Sequence, residues 1–174
     1  MATSARSMQE ARKGTSQTRA KHPIFNGEYE IIKSLGEGNT SKVYLARNIE
    51  DGKCLALKIL KEEFLKRDEE SILSVHNEIT ILKNLNQIGI VQLYGYGDMG
   101  HVLKPSGRNI HNLVYLMMEY APGGLLFDLC QTMGAMGEFT GRFLFTQLLD
   151  SLDYLHTKRV VHRDLKLENI LLDD

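Results

Sequence analysis

The stretch His162-Arg163-Asp164-Leu165-Lys166-Leu167-Glu168-Asn169 decides how this chain is read. Taken alone, so charged a run is a surface turn. Its internal spacing gives it a chemical sense, because an aspartate, a lysine two residues on and an asparagine five residues on form one compact loop. Asp164 can accept a hydrogen bond from a hydroxyl and take its proton. Lys166 can neutralise charge on a phosphoryl group in transfer, and Asn169 can ligate a magnesium ion.

Upstream of that loop the pattern is helical. Phe139–His156 carries Leu144, Leu148, Leu152 and Leu155 on one stripe with Phe145 and Leu149 beside it. An apolar surface this wide predicts a helix buried on more than one side. Leu125–Met133 is a shorter helix, separated from it by the breaker Gly134–Gly137. Pro122-Gly123-Gly124 marks the end of a preceding strand. Ile72, Val75, Ile79, Leu82 and Leu85 recur at three- and four-residue steps and predict an amphipathic helix. Strands are predicted at Tyr29–Leu35, Ser41–Asn48, Cys54–Leu60, Ile90–Tyr96 and Leu113–Tyr120. The first three, joined by short turns (Asp51-Gly52 among them), form an antiparallel meander. A long mobile loop is expected between Asp98 and Asn112.

Two further elements stand in order with the catalytic-type loop. Gly36-Glu37-Gly38-Asn39-Thr40 joins strand to strand, so it is not the strand-to-helix fingerprint of dinucleotide binding. A turn of this kind can lay backbone N–H groups over a polyphosphate without side-chain obstruction. In the third strand, Ala56 and Lys58 share a face. A small residue suits a flat base, and a cation two positions on suits phosphates. Glu78, 20 residues after Lys58 on the amphipathic helix, can pair with that lysine and fix its ammonium.

Composition bounds the alternatives. The chain has 174 residues, 43% hydrophobic and 25% charged, with 21 Lys and Arg against 22 Asp and Glu. This is the balance of a globular domain. A net charge of −1 argues against a nucleic-acid partner held by bulk electrostatics. The longest apolar run, Leu113–Met118, is far short of the about 20 residues a spanning helix needs, so no membrane partner is expected. Cys54 and Cys130 lie far apart and outside metal-ligand spacing, and read as free thiols of a reducing compartment. With no apolar leader at the N-terminus, a cytoplasmic chain is expected, with the nucleus as the alternative. Residues 1–28 read as a disordered tail, its basic part carrying Arg6, Arg12, Lys13, Arg19 and Lys21 against Glu10.

From about Tyr29 to the C-terminus the sequence resembles the eukaryotic protein kinases, and within them the Ser/Thr-specific, calmodulin-dependent and AMP-activated type. The resemblance implies an α+β fold. A small lobe over residues 29–120 would hold a five-stranded antiparallel sheet and one helix. The first helices and catalytic loop of the large lobe would occupy 121–174. ATP and Mg2+ are the implied cofactors, and a protein Ser or Thr hydroxyl the implied substrate. The family's Gly-rich loop corresponds to Gly36, Glu37, Gly38 and Ser41, with Ser41 in place of its third glycine. Leu35 precedes the loop, Val43 and Ala56 match residues that pack on adenine, and Leu171 matches the floor beneath it. Lys58 matches the phosphate-binding lysine and Glu78 its helix partner. Met118 stands at the gatekeeper position, and Glu119 and Ala121 at the hinge. Asp164 matches the catalytic base, Lys166 the catalytic-loop lysine and Asn169 the metal ligand. Leu125 replaces a glutamate that many basophilic members carry.

The family's Asp-Phe-Gly segment, activation segment and Ala-Pro-Glu anchor are not among the 174 residues. The chain is therefore read as truncated before the main metal carboxylate, and is expected to transfer little or no phosphate by itself. Helix Phe139–His156 is then expected to expose apolar side chains that a partner protein would cover. The alternative expectation is a non-catalytic nucleotide-binding or decoy interaction module.

Overall fold

A computed structural model of the protein describes residues 21–173. Three strands, β2 (Tyr29–Glu37), β3 (Ser41–Asn48) and β4 (Cys54–Leu60), form the expected meander. A four-residue helix, α1 (Glu62–Leu65), leads into α2 (Glu69–Lys83). Asp68 caps α2, its Oδ1 accepting from the Ser71 N–H at 2.7 Å and from the Ser71 hydroxyl at 2.6 Å. Strands β5 (Leu93–Leu103) and β6 (Asn109–Met118) complete the five that were expected.

A sixth strand, β1 (Ile24–Phe25), pairs with both β2 and β5 and closes the sheet into a barrel of order β1-β2-β3-β4-β6-β5. This shortens the expected tail of residues 1–28 from its C-terminal side. Residues 24–28 belong to the folded unit, and 1–20 lie outside the described residues. The cause is Phe25, fully buried in the barrel and packed edge-on against Tyr115 at 4.8 Å between ring centres. Asn26 and Gly27, both with left-handed backbone (φ 49° and 75°), turn the chain from β1 into β2.

The expected long loop over 98–112 is also corrected. Both strands run through it, and only 104–108 forms the turn. Gly95, Gly97 and Gly100 have no side chain where their strand would fill the barrel. A Cβ at Gly97 or Gly100 would lie 2.7–3.0 Å from the Tyr115 ring, and one at Gly95 2.6 Å from Met117 Cε. Side chains from β6 occupy that space instead. Val102, buried opposite Ile110, continues the ladder beyond three register shifts.

Two cores lie on the two faces of the sheet. Phe25, Ile31, Ala46, Leu55, Leu57 and Val102 fill the barrel. On the outer face Leu60 and Leu116 meet Val75 and Ile79 of α2. Alternation along β4 explains the division. Leu55 and Leu57 point inward, whereas Ala56, Lys58 and Leu60 point toward α2. The functional candidates of β4 therefore share a surface with α2.

Beyond β6 the chain forms β7 (Gly124–Leu125), α3 (Leu126–Met133), α4 (Glu138–Thr157), a 3-10 turn (Leu167–Asn169) and β8 (Leu171–Leu172). β7 and β8 pair with each other. Both predicted helices are present, but α4 is not buried on more than one side. Of its residues only Ser151 and Leu155 are buried, while Phe139 is 86% and Phe143 62% exposed. The Asn86 N–H donates to Tyr154 Oη at 3.0 Å, which fastens the segment after α2 to α4. No helix among the described residues is long and apolar enough to cross a membrane.

Candidate active site

Register across four strands assembles the upper half of the site. Gly36 lies opposite Val43, Val43 opposite Lys58, and Lys58 opposite Leu116. Ala56, two residues from Lys58 on the same face, lies opposite Met118. The sheet thus sets Val43, Ala56, Lys58 and Met118 on one surface beside α2. Lys58 Nζ meets Glu78 Oε1 at 2.5 Å, with the lysine side chain 18% and the glutamate 41% exposed. The pair expected from a 20-residue spacing therefore forms. At this partial exposure such a pair contributes about 1 kcal/mol or less to stability, so its use is to aim the ammonium rather than to hold the fold.

The Gly-rich turn projects from the barrel, and every residue from Lys33 to Glu37 is exposed. It closes with the Gly38 N–H donating to the Ser41 carbonyl at 2.9 Å. Glu37 is held from two sides, by Lys61 at 2.7 Å and Lys42 at 2.9 Å. Hydrogen bonds from Lys61 and then Lys42 hold its carboxyl below the usual value. Neither lysine was singled out in the sequence. Both are ordinary strand or strand-end cations until the turn folds back over them.

The segment after Met118 is anchored by reciprocal contacts. The Glu119 N–H donates to the Gln92 carbonyl at 2.9 Å, and Glu119 Oε2 accepts from the Gln92 N–H at 3.1 Å. Leu171 is brought beneath it by β8. The Gly123 N–H donates to the Leu172 carbonyl at 2.8 Å, an approach only glycine permits, since a Cβ there would lie 2.7 Å from that oxygen.

The lower half is the catalytic-type loop. Arg163 adopts the left-handed conformation (φ 64°) and turns the chain into Asp164. Asn169 Nδ2 donates to the Asp164 carbonyl at 2.7 Å and to its Oδ2 at 2.9 Å, and Lys166 Nζ stands 3.0 Å from the same Oδ2. Lys166 first, and Asn169 second, hold the Asp164 carboxyl below its ordinary value. The three residues selected from their spacing therefore touch one another. With its Nδ2 committed, Asn169 offers its Oδ1, a hard oxygen of the type magnesium takes. Among the described residues no group of three His, Cys, Asp or Glu side chains could hold a metal.

A cavity of about 800 Å3 lies against both halves. It opens between α2, the 84–92 segment, α4 and the catalytic-type loop. Its lining includes Glu78, Glu119, Ala121, Asn169 and Leu171. The Gly-rich turn, Val43, Ala56, Lys58 and Met118 of the strands, and Asp164 and Lys166 of the loop, stand outside this lining.

Comparison with known proteins agrees with this geometry. The family model described as "Protein kinase domain" matches residues 29–174. CBL-interacting protein kinase 21 of Oryza sativa subsp. japonica is 38% identical over 165 residues, covering 93% of this chain and 29% of that protein. CBL-interacting serine/threonine-protein kinase 17 of Arabidopsis thaliana is 39% identical over 147 residues, covering 84% of this chain and 31% of that protein. The chain spans about a third of the length of these relatives. With the fold, the paired Lys58 and Glu78, and the joined Asp164, Lys166 and Asn169 in place, the chain belongs to the protein kinase domain family.

Proposed function

We propose that residues 29–174 form the nucleotide-binding part and catalytic loop of an ATP-dependent Ser/Thr protein kinase. The observation that carries this is that two preassembled groups, Lys58 with Glu78 and Asp164 with Lys166 and Asn169, each reach one cavity. Its wall includes both Glu78, which holds Lys58, and Asn169, which holds Asp164. A nucleotide in the cleft between the strands and the catalytic-type loop, beside that cavity, sets its base against Val43, Ala56 and Leu171, with Met118 beside it and Glu119 and Ala121 supplying backbone groups. Its phosphates lie under Gly36–Ser41 and beside Lys58.

In transfer, a Ser or Thr hydroxyl oxygen forms the new bond to the γ-phosphorus as the bond to the ADP oxygen breaks, and Asp164 takes the hydroxyl proton. A carboxyl held below its ordinary value is ionised at neutral pH and ready to accept that hydrogen bond. Lys166, 3.0 Å from Asp164 Oδ2, neutralises charge on the phosphoryl group. Magnesium, when bound, supplies charge neutralisation between the β- and γ-phosphates. This chain would offer Asn169 toward it, and the Asp-Phe-Gly carboxylate that the family resemblance implies is not among these residues.

Binding is the primary test. The polypeptide of residues 1–174 is expected to bind a fluorescent ADP analogue, and Lys58→Met is expected to weaken it about tenfold or more while adenosine binding stays unchanged. No binding at millimolar nucleotide would sink the proposal. Phosphate transfer to a Ser/Thr peptide by this polypeptide alone is expected to be no greater than that of Asp164→Asn. A second role, as a non-catalytic nucleotide-binding module that docks a partner protein, is favoured by the exposed aromatic residues of α4. It predicts the same binding without transfer even when the remaining kinase segments are supplied. Residence in the cytoplasm or nucleus suits Cys54 and Cys130, both free thiols.

A further inference from the structure

Gly36 and Gly38 meet no packing demand, since a Cβ at either would touch nothing within 4 Å. Their contribution is backbone freedom, and freedom has a cost. A turn that must be ordered around a polyphosphate loses conformational entropy on binding unless something orders it beforehand. Glu37, between the two glycines, is the only side chain of that Gly-x-Gly unit.

We infer that Lys61 is a positioning residue for the nucleotide: together with Lys42 it clamps Glu37 and holds the 36–41 turn down on the strand that carries Lys58. The inference rests on the nucleotide site proposed above. Lys61 follows directly after β4, three residues from Lys58. Its backbone N–H donates to the Thr40 carbonyl at the tip of the turn, at 2.8 Å. Its ammonium meets Glu37 Oε1 at 2.7 Å, while Lys42 holds Oε2 at 2.9 Å. One residue thus grips the turn twice, by main chain and by side chain. Lys61 is also the least exposed member of the trio, at 26% against 44% for Lys42 and 48% for Glu37. Each ion pair alone is weak at such exposure. Two on one carboxylate, beside a backbone bond, restrain a segment that two glycines would otherwise leave loose. The trio carries one net positive charge, which also suits a polyphosphate beneath the turn.

The test separates the clamp from the site. Lys61→Met keeps the backbone bond and removes the ammonium, and Glu37→Gln removes the carboxylate charge. Without nucleotide, each is expected to speed amide hydrogen exchange at Gly38–Ser41 by about two- to fivefold, and Lys61→Arg to restore the slow rate. The dissociation constant of a fluorescent ADP analogue should rise by a similar factor, with adenosine unaffected. The double variant should be no worse than either single one, and the difference should vanish in about 1 M salt. Unchanged exchange in both variants would overturn the clamp, as would equal weakening of ADP and adenosine. Tighter ADP binding by Glu37→Gln would also overturn it, because the carboxylate would then be masking two lysines from the phosphates. Should the unaltered chain bind neither ligand, the nucleotide site fails, while exchange still decides the clamp.

Discussion

At the scale of single residues, the site consists of charges that fix one another. Asp164 is ionised more readily than a free aspartate because Lys166, then Asn169, donate to its carboxylate. The sign follows from linkage. A depressed folded-state value means the contribution to stability is complete above the unfolded value near 3.8 and is lost as pH falls through the lower folded value. Lys166→Met is expected to move the Asp164 midpoint back up toward 3.8, as read by carboxyl 13C NMR titration. A midpoint that stays put would remove Lys166 as the cause. Chemical sense at this scale was legible in the sequence, because strand alternation and loop spacing are local. Asp164 could be grouped with Lys166 and Asn169 from loop spacing, whereas Lys58 was matched to Glu78 by strand and helix placement together with the family resemblance. The grip of Lys61 and Lys42 on Glu37 could not be read in either way, since it depends on how far the turn curls back, and nothing in the residue types encodes that.

At the scale of elements, close approach decides more than propensity. The β7–β8 pair, which brings Leu171 under Glu119 and Ala121, depends on Gly123. Gly123→Ala places a methyl group 2.7 Å from the Leu172 carbonyl oxygen, and neither backbone can yield without parting the strands. A loss of about 1–3 kcal/mol is expected, measured as a lower urea midpoint, together with weaker nucleotide binding. A midpoint equal to that of the unaltered chain would show that β8 shifts freely. Helices α2 and α4 were legible because apolar residues recur at helical steps, whereas the four-residue α1 is too short to show a period. The β5–β6 hairpin was misread because Gly95, Gly97 and Gly100 interrupt the alternation that marks a strand, the space they leave being filled from the neighbouring strand. Strand β1 was missed for another reason. Its Asn26-Gly27 turn signal lies next to a basic, polar stretch, and two residues are too few to show a period.

At the scale of the whole molecule, the barrel and α2 share buried cores, while α4 leaves large apolar side chains exposed. Phe139, Phe143, Phe145 and Leu149 are each between 47% and 86% exposed. Phe139 and Phe143 share one side of the helix and Phe145 and Leu149 another, and exposed apolar surface of this kind binds dyes and partners alike. The 1–174 polypeptide is expected to enhance anilinonaphthalene sulfonate fluorescence, and the double variant Phe139→Gln with Phe143→Gln to lose much of that enhancement. Undiminished fluorescence would place the dye elsewhere. The closure of the sheet by Phe25 has a practical side as well. This ring is sealed inside the cylinder, its two-residue strand bridges β2 and β5, and the Pro23 carbonyl just before it accepts from the Ile31 N–H at 2.8 Å, so removing Pro23–Phe25 opens the sheet. A shortened version starting at residue 22 keeps its seam shut, and one starting at residue 27 exposes the flanks of two strands to their counterparts in other molecules.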